Sequence, residues 1–151
     1  MSKQKVVICQ DLKADLQSFL DSLDYDKLFV LTDTNTVEKC FPLVKEVPAI
    51  QSARLIVVEA TDLHKDLESL STIWRHLSNE GASRHSVLLN LGGGMVTDMG
   101  GFAGATFKRG IRTINVPTTL MASVDAAVGG KTGINFNGLK NEIGAFYPPL
   151  C

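Results

Sequence analysis

Residues 91–149 read LGGGMVTDMGGFAGATFKRGIRTINVPTTLMASVDAAVGGKTGINFNGLKNEIGAFYPP, and the opening passage from an apolar run into three glycines decides the fold. Before the glycines, residues 87–91 form a short, largely leucine run bounded by polar sequence. After them, residues 95–108 can form a helix. A strand that turns through glycine into a helix is the repeating joint of an α/β layer. The same joint brings backbone N–H groups close to a ligand at the positive end of a helix dipole, where a pyrophosphate is favoured.

Working outward, four more short apolar runs fall at residues 6–9, 28–32, 55–58 and 113–116, each bounded by polar or turn residues. Their nearly continuous hydrophobicity predicts burial on both faces, as in a parallel sheet. Between them, Leu12, Leu16, Phe19, Leu20 and Leu23 line a helix over residues 11–23. Leu63, Leu67, Leu70, Trp74 and Leu77 line one face of another, with Gly81 as its stop. After residue 116 a further helix-like piece over 120–127 leads to Gly129 and Gly130, then to a hairpin centred on Asn137 and Gly138, which tolerate positive φ. The expectation is one α/β domain over residues 1–151, a Rossmann-like parallel sheet flanked by helices.

Composition narrows the function. A chain of 151 residues with 44% hydrophobic content holds one ordinary core. A formal net charge of -1 leaves no broad basic face for nucleic acid and no positive excess for an anionic membrane. Gln10 and Asp11 break the first apolar run too early for a signal peptide or a membrane span, so the expected location is cytoplasmic. Cys9, Cys40 and Cys151 form no CxxC pair, and Cys9 reads as a small buried apolar residue. His64, His76 and His85 show no HExxH pattern, so no metal site is expected from this chain's own residues. The end at PPLC, directly after an apolar turn, reads as a piece of something longer.

The chemistry-bearing residues cluster around the glycine turns. Laid on Gly92 and Gly94, the GxGxxG fingerprint meets Thr97 where it needs a third glycine, and the glycines also fit a plain strand-to-helix turn. Asp33, just past the 28–32 run, and Asn35 can reach ribose hydroxyls or an adenine edge, or form an ordinary Asx-turn. GGKT at residues 129–132 is not a phosphate loop, because Asp125 stands where that pattern needs glycine. Gly100, Gly101 and Gly104 read as points of close approach. Lys108 and Arg109 either complement a helix C-terminus or contact an anion. Thr118 and Thr119 either bond a ligand or cap the next helix. Asp125, Lys131, Lys140 and Asn141 add an acid, two ammonium groups and an amide around the same turns.

The ordered set GGGMVTD, FKRG, VPTTL, SVDAAVGGKTGIN and LKNEIGAFYPP closely resembles the 3-dehydroquinate synthase family, densely over the last third of the chain and more loosely before it. The resemblance implies a homodimer that uses NAD and a divalent metal, zinc or cobalt, to convert the sugar-acid phosphate DAHP into 3-dehydroquinate. The family's reaction runs through transient oxidation of a ring hydroxyl, loss of phosphate, return of the hydride, ring opening and an internal aldol closure. Carried over, the dinucleotide contacts fall on Asp33, Asn35, Asp62, Lys65, Gly94, Met95, Val96, Thr97, Asp98, Thr118, Thr119, Lys131 and Lys140. The substrate contacts fall on Asp125, Lys131 and Asn141, with Arg109 on the phosphate in the neighbouring subunit. Asp62 replaces a glutamate usual in the family, and Thr97 a glycine. The family's metal ligands lie in a C-terminal helical domain that would begin after Cys151, so the expectation is a cofactor-binding part that is inactive alone. Three alternatives stay open: a related sugar-phosphate cyclase, a metal-dependent polyol dehydrogenase, and a non-catalytic nucleotide-binding module.

Overall fold

The computed structural model describes residues 4–151, with the side chains of Asp62, Asp125 and Ala126 outside the described residues. In chain order the elements are α1 (Leu12–Asp21), β1 (Leu28–Asp33), α2 (Thr36–Lys39), α3 (Pro48–Gln51), β2 (Arg54–Val58), α4 (Leu67–Asn79), β3 (Val87–Gly92), α5 (Gly94–Thr106), β4 (Arg112–Pro117), β5 (Lys131–Phe136) and β6 (Leu139–Phe146). Strands β1 to β4 form a parallel sheet in the order β2-β1-β3-β4, and β5 and β6 form a separate antiparallel hairpin. The expected α/β architecture is the observed one. Among the described residues no helix is long and apolar enough to cross a membrane.

Alternation along the strands explains the layering. Phe29, Leu31, Ile56, Val58 and Leu88 point to one face and pack with Leu70, Ile73, Leu77, Val96, Met99 and Ala103 of α4 and α5. Leu28, Val30, Val87, Leu89, Leu91 and Ile114 point to the other and pack with Leu16, Leu20 and Ile50 of α1 and α3. All six residues of β1 and all six of β3 are buried, as a strand covered on both faces requires.

Three expectations need correction. Residues 6–9 form no strand: one backbone rung, from the Lys5 N–H to the Leu150 carbonyl at 3.0 Å, ties the segment down. A strand needs a ladder partner, and without one Val6 and Ile8 are 66% and 90% exposed. Cys9 is exposed rather than buried. The second helix begins at Leu67, because the Asp66 carboxylate accepts the Ser69 N–H at 2.9 Å and caps it there. Leu63 therefore sits in a separate 3-10 turn and is exposed, while the buried face is Leu70, Ile73 and Leu77. The helix-like piece expected over 120–127 is present: it is helical from residue 120 and becomes a wide, π-type helical turn over Ala122–Ala126, closed by the Ala127 N–H on the Ala122 carbonyl at 2.8 Å. The hairpin turn is as expected, with Asn137 at φ +52° and Gly138 at +76°.

Helix α5 carries the close approaches expected of its glycines. A Cβ at Gly101 would collide with Thr132 of the hairpin, and one at Gly104 with Thr113 of β4. At Gly100 it would strike the carboxamide of Asn90 and Leu31. Asn90 is fully buried in β3, its amide donates to Asn115 Oδ1 at 3.0 Å, and its own Oδ1 has no conventional partner. The bare Cα of Gly100 lies against that oxygen, an arrangement that admits a weak Cα–H···O contact.

Gly100→Ala therefore sets two effects against each other. Helix propensity favours alanine by about 1 kcal/mol. Overpacking against a buried carboxamide costs about 1–3 kcal/mol, and a newly crowded polar group adds to it. Net destabilisation is expected in urea unfolding, and a more stable variant would contradict this packing.

Candidate functional site

The sheet order places a crevice where dinucleotides are commonly held. From β1 the chain moves to β2 on one side and then crosses to β3 on the other, so the C-terminal ends of β1 and β3 flank a topological switch point. Asp33 ends β1 and Gly92 ends β3. The Thr36 hydroxyl donates to the Leu91 carbonyl at 3.1 Å and locks the two loops together.

At this edge α5 opens directly from Gly93 and Gly94. Its N-cap residue, Gly93, makes no side-chain capping bond, so first-turn N–H groups lie at the positive end of a helix of 13 residues. Gly93, Gly94, Met95 and Asp98 are partly accessible, while Val96 and Thr97 are buried and can offer a ligand only main-chain groups. Thr97 fits in the place of a glycine because its hydroxyl turns back onto the helix, donating to the Gly93 and Gly94 carbonyls, each at 3.2 Å. A Cβ at Gly93 would lie 3.2 Å from Thr119 Cγ2, so the second strand-end loop closes over the same turn. The Thr118 N–H bonds the Gly92 carbonyl at 3.0 Å, and Thr119 Oγ1 accepts the Ala122 N–H at 3.1 Å. The capping role is therefore real for Thr119.

Asp33 also has a structural role. Its Oδ1 accepts the N–H groups of Asn35 at 2.9 Å and Thr36 at 2.7 Å, the Asx-turn, and the residue is buried. Asn35 is exposed and makes no side-chain capping bond, so its amide is available at the rim.

A second group of residues meets under the hairpin. Asp98, Lys131, Thr132, Gly133, Asn141, Gly144, Ala145 and Phe146 line a cleft of about 540 Å³. Lys65 closes its floor: its ammonium donates to Asn141 Oδ1 at 2.5 Å and lies 3.2 Å from Asp98 Oδ2. The Lys65 carbonyl accepts the Asn135 N–H at 2.7 Å, and Asn135 Oδ1 accepts the Asn141 N–H at 3.0 Å. Asn141 sits at φ +53° inside this network. Lys140, beside it on β6, is exposed and does not line the cleft.

Arg109 does not line this cleft. It follows α5, whose 13 residues span about 20 Å at the α-helical rise, so it lies at the opposite end of the helix from Gly94. Lys108 and Arg109 stand outside the helix at φ +48° and +67°, and Gly110 follows at +120°. Two successive non-glycine residues in that region cost on the order of 1–3 kcal/mol each, so surrounding contacts must hold the turn. Tyr147 supplies one: its hydroxyl donates to the Ile111 carbonyl at 2.8 Å. Burial raises the Tyr147 pKa above the ordinary phenol value and keeps it a donor.

Lys65 came into view only through family resemblance, and Asn115 and Tyr147 were missed. An amide within the apolar run of residues 87–91 was a signal for Asn90 and, through it, for Asn115.

The ion pair is testable by itself. The Lys65 side chain is 8% exposed and the Asp98 side chain 22% exposed, so removing Asp98 leaves a nearly dry ammonium with less compensation. Breaking a fully buried pair costs about 3–5 kcal/mol. Partial access of Asp98 discounts this to about 1–3 kcal/mol for Asp98→Ala. Lys65→Met combined with Asp98→Ala should recover most of the loss in urea unfolding.

Comparison with known proteins agrees with this geometry. The family described as 3-dehydroquinate synthase N-terminal matches residues 55–151. The 3-dehydroquinate synthase of Parabacteroides distasonis is 76% identical over 151 residues, 100% of this chain and 43% of that protein. The 3-dehydroquinate synthase of Thermococcus kodakarensis is 47% identical over 89% of this chain and 38% of that protein. The chain thus spans less than half the length of these curated relatives. Among solved structures, 2-epi-5-epi-valiolone synthase from Streptomyces hygroscopicus subsp. jinggangensis, with NAD+ and Zn2+ bound, superposes with a TM-score of 0.85 at 28% identity, covering 99% of this chain and 42% of that one. With the family match running from β2 through the glycine turn and the hairpin to the last residue, the chain belongs to the 3-dehydroquinate synthase family and corresponds to its N-terminal part.

Proposed function

We propose that this chain is the NAD-binding part of a 3-dehydroquinate synthase, a carbon–oxygen lyase that converts DAHP into 3-dehydroquinate and phosphate. The observation that carries the reading is the crevice at the switch point between β1 and β3. There the open N-terminus of α5 and the Gly93–Thr119 contact form a cradle that a side chain would fill. Identity of 76% to a curated 3-dehydroquinate synthase supports it. A sister sugar-phosphate cyclase is favoured less, since the solved relative of that kind is 28% identical.

In this reading, main-chain donors from Gly94 to Asp98 hold the diphosphate, helped by the positive helix end. Asp33 and Asn35 hold a ribose, Asp62 and Lys65 contact the dinucleotide beside them, and Thr118, Thr119 and Lys140 complete its binding. When bound, the nicotinamide supplies reversible two-electron oxidation of a substrate hydroxyl. Lys131 neutralises the substrate carboxylate, Asn141 bonds a ring hydroxyl, and Asp125 stands beside the reacting hydroxyls. For Asn141 to act, the ammonium of Lys65 must share or release Asn141 Oδ1. Arg109, which does not line the cleft of its own chain, fits a role at the neighbouring site of a homodimer. The proposed location is the cytoplasm.

Zinc or cobalt is the metal the family reading implies. Among the described residues no three His, Cys, Asp or Glu side chains gather as donors, so these residues do not fit a metal and no step is assigned to one. Because the chain spans less than half the length of its curated relatives, it is read as catalytically incomplete alone.

Calorimetry with NAD tests the cofactor site. Asn35→Ala removes an exposed amide without a cap bond, so the fold is kept, and a drop in affinity of about fivefold is expected for one lost hydrogen bond. Equal binding by both proteins would remove Asn35 from the site, and no binding by wild type would overturn the cradle. With NAD and zinc supplied, residues 1–151 alone should release no phosphate from DAHP, whereas the full-length protein should. Turnover by the short chain would sink the claim of incompleteness, and none by the full-length protein would sink the assigned reaction.

A further inference from the structure

Tyr147 touches the turn that follows Arg109 and the turn that precedes Lys131. Its main-chain N–H donates to the Gly130 carbonyl at 2.7 Å, immediately before Lys131. Its hydroxyl donates to the Ile111 carbonyl at 2.8 Å, two residues after Arg109. The contacts are close at both ends. A Cβ at Gly110 would lie 3.0 Å from the Tyr147 hydroxyl, and one at Gly130 would lie 3.3 Å from Pro148 Cγ. Both glycines have positive φ, +120° and +71°, so both turns take shapes that favour glycine and need external bracing.

The other end of the glycine turn is tied differently. The Ala127 carbonyl accepts Asn115 Nδ2 at 3.3 Å and Gln4 Nε2 at 3.0 Å, and Asn115 leads back to Asn90 in the sheet. Those bonds anchor the turn to the core. Only the Tyr147 bonds join it to the left-handed Lys108–Arg109 segment among the hydrogen bonds described.

We infer that Tyr147 is a positioning residue for anionic substrate: its hydroxyl holds the Arg109 turn and its main-chain N–H the Lys131 turn, so one residue places the two cations as a coupled pair. It touches no reacting atom. This rests on the reading of Lys131 as a contact to the carboxylate of its own subunit's substrate and of Arg109 as a contact to the phosphate of the neighbouring subunit's substrate. A shift of either turn propagates through Tyr147, from phenol to main chain, to the other, and the dinucleotide cradle at the far end of α5 is left alone.

Tyr147→Phe in the full-length protein is the test, since it deletes one hydroxyl and keeps the ring. The expected result is a KM for DAHP raised about five- to tenfold, the range of one lost hydrogen bond to a positioned turn, with the Kd for NAD within about twofold of wild type. Amide hydrogen exchange should rise at residues 110–112 and 130–132 together, by about tenfold, and stay unchanged at residues 94–98. An unchanged KM beside a lowered Tm would mark a merely structural tie and overturn the proposal, as would equal losses in DAHP and NAD binding. If the wild-type protein does not turn over DAHP, the functional reading falls separately, and exchange alone decides: a rise at one turn only, or at neither, refutes the coupling.

Discussion

Helix α5 lies so near its neighbours that three positions along it have no room for a side-chain carbon, and the remaining architecture follows from that closeness. Gly100 meets Asn90 and Leu31 of the sheet, Gly101 meets Thr132 of the hairpin, and Gly104 meets Thr113 of β4. Because two of its faces are thinned in this way, one helix serves as the wall between a buried parallel sheet and an exposed hairpin. Its N-terminus opens at the switch point and its side wall carries Asp98 into the cleft. The helix pays about 1 kcal/mol in propensity for each such glycine, and the approach it permits brings Lys65, Asp98 and Asn141 within hydrogen-bonding distance.

Much of this was legible in the residues. Strands β1 to β4, helices α1 and α5, and the Asn137–Gly138 turn follow from apolar runs, 3.6-residue spacing and turn chemistry, because each is decided locally. Residues 6–9 were misread because a β-branched run becomes a strand only where a ladder accepts it, and propensity carries no information about partners. The helix over residues 63–77 was begun too early because Leu63 continues the periodic pattern, while Asp66 caps the helix three residues later. At the site, Lys131 and Asn141 were found as chemistry beside glycines and Asp98 through the family resemblance, and the structure brings them to one cleft. Their meeting with Lys65, 33 residues before Asp98 and 76 before Asn141, depends on long-range packing that no local pattern encodes.

The functional and bland readings of several residues turn out to be compatible. Asp33 builds an Asx-turn with Oδ1, and Thr119 caps the wide turn while packing on Gly93. A polar side chain at a strand end can satisfy its own loop and still define the rim of a crevice. Preorganisation of this kind lowers the conformational cost of binding, since the loop is already set before a ligand arrives.

The facing amides of Asn90 and Asn115 have a consequence for how the chain avoids error during assembly. They stand opposite each other in adjacent strands that are otherwise apolar over most of their buried faces. A slide of two residues would keep every side chain on its proper face and so escape correction by hydrophobicity alone. It would also strand both carboxamides among hydrocarbon, at a cost of a few kcal/mol. The pair thereby acts as a proofreading key for the alignment of β3 with β4, which in turn fixes Gly92 beside Pro117 and sets the two lips of the crevice level with each other.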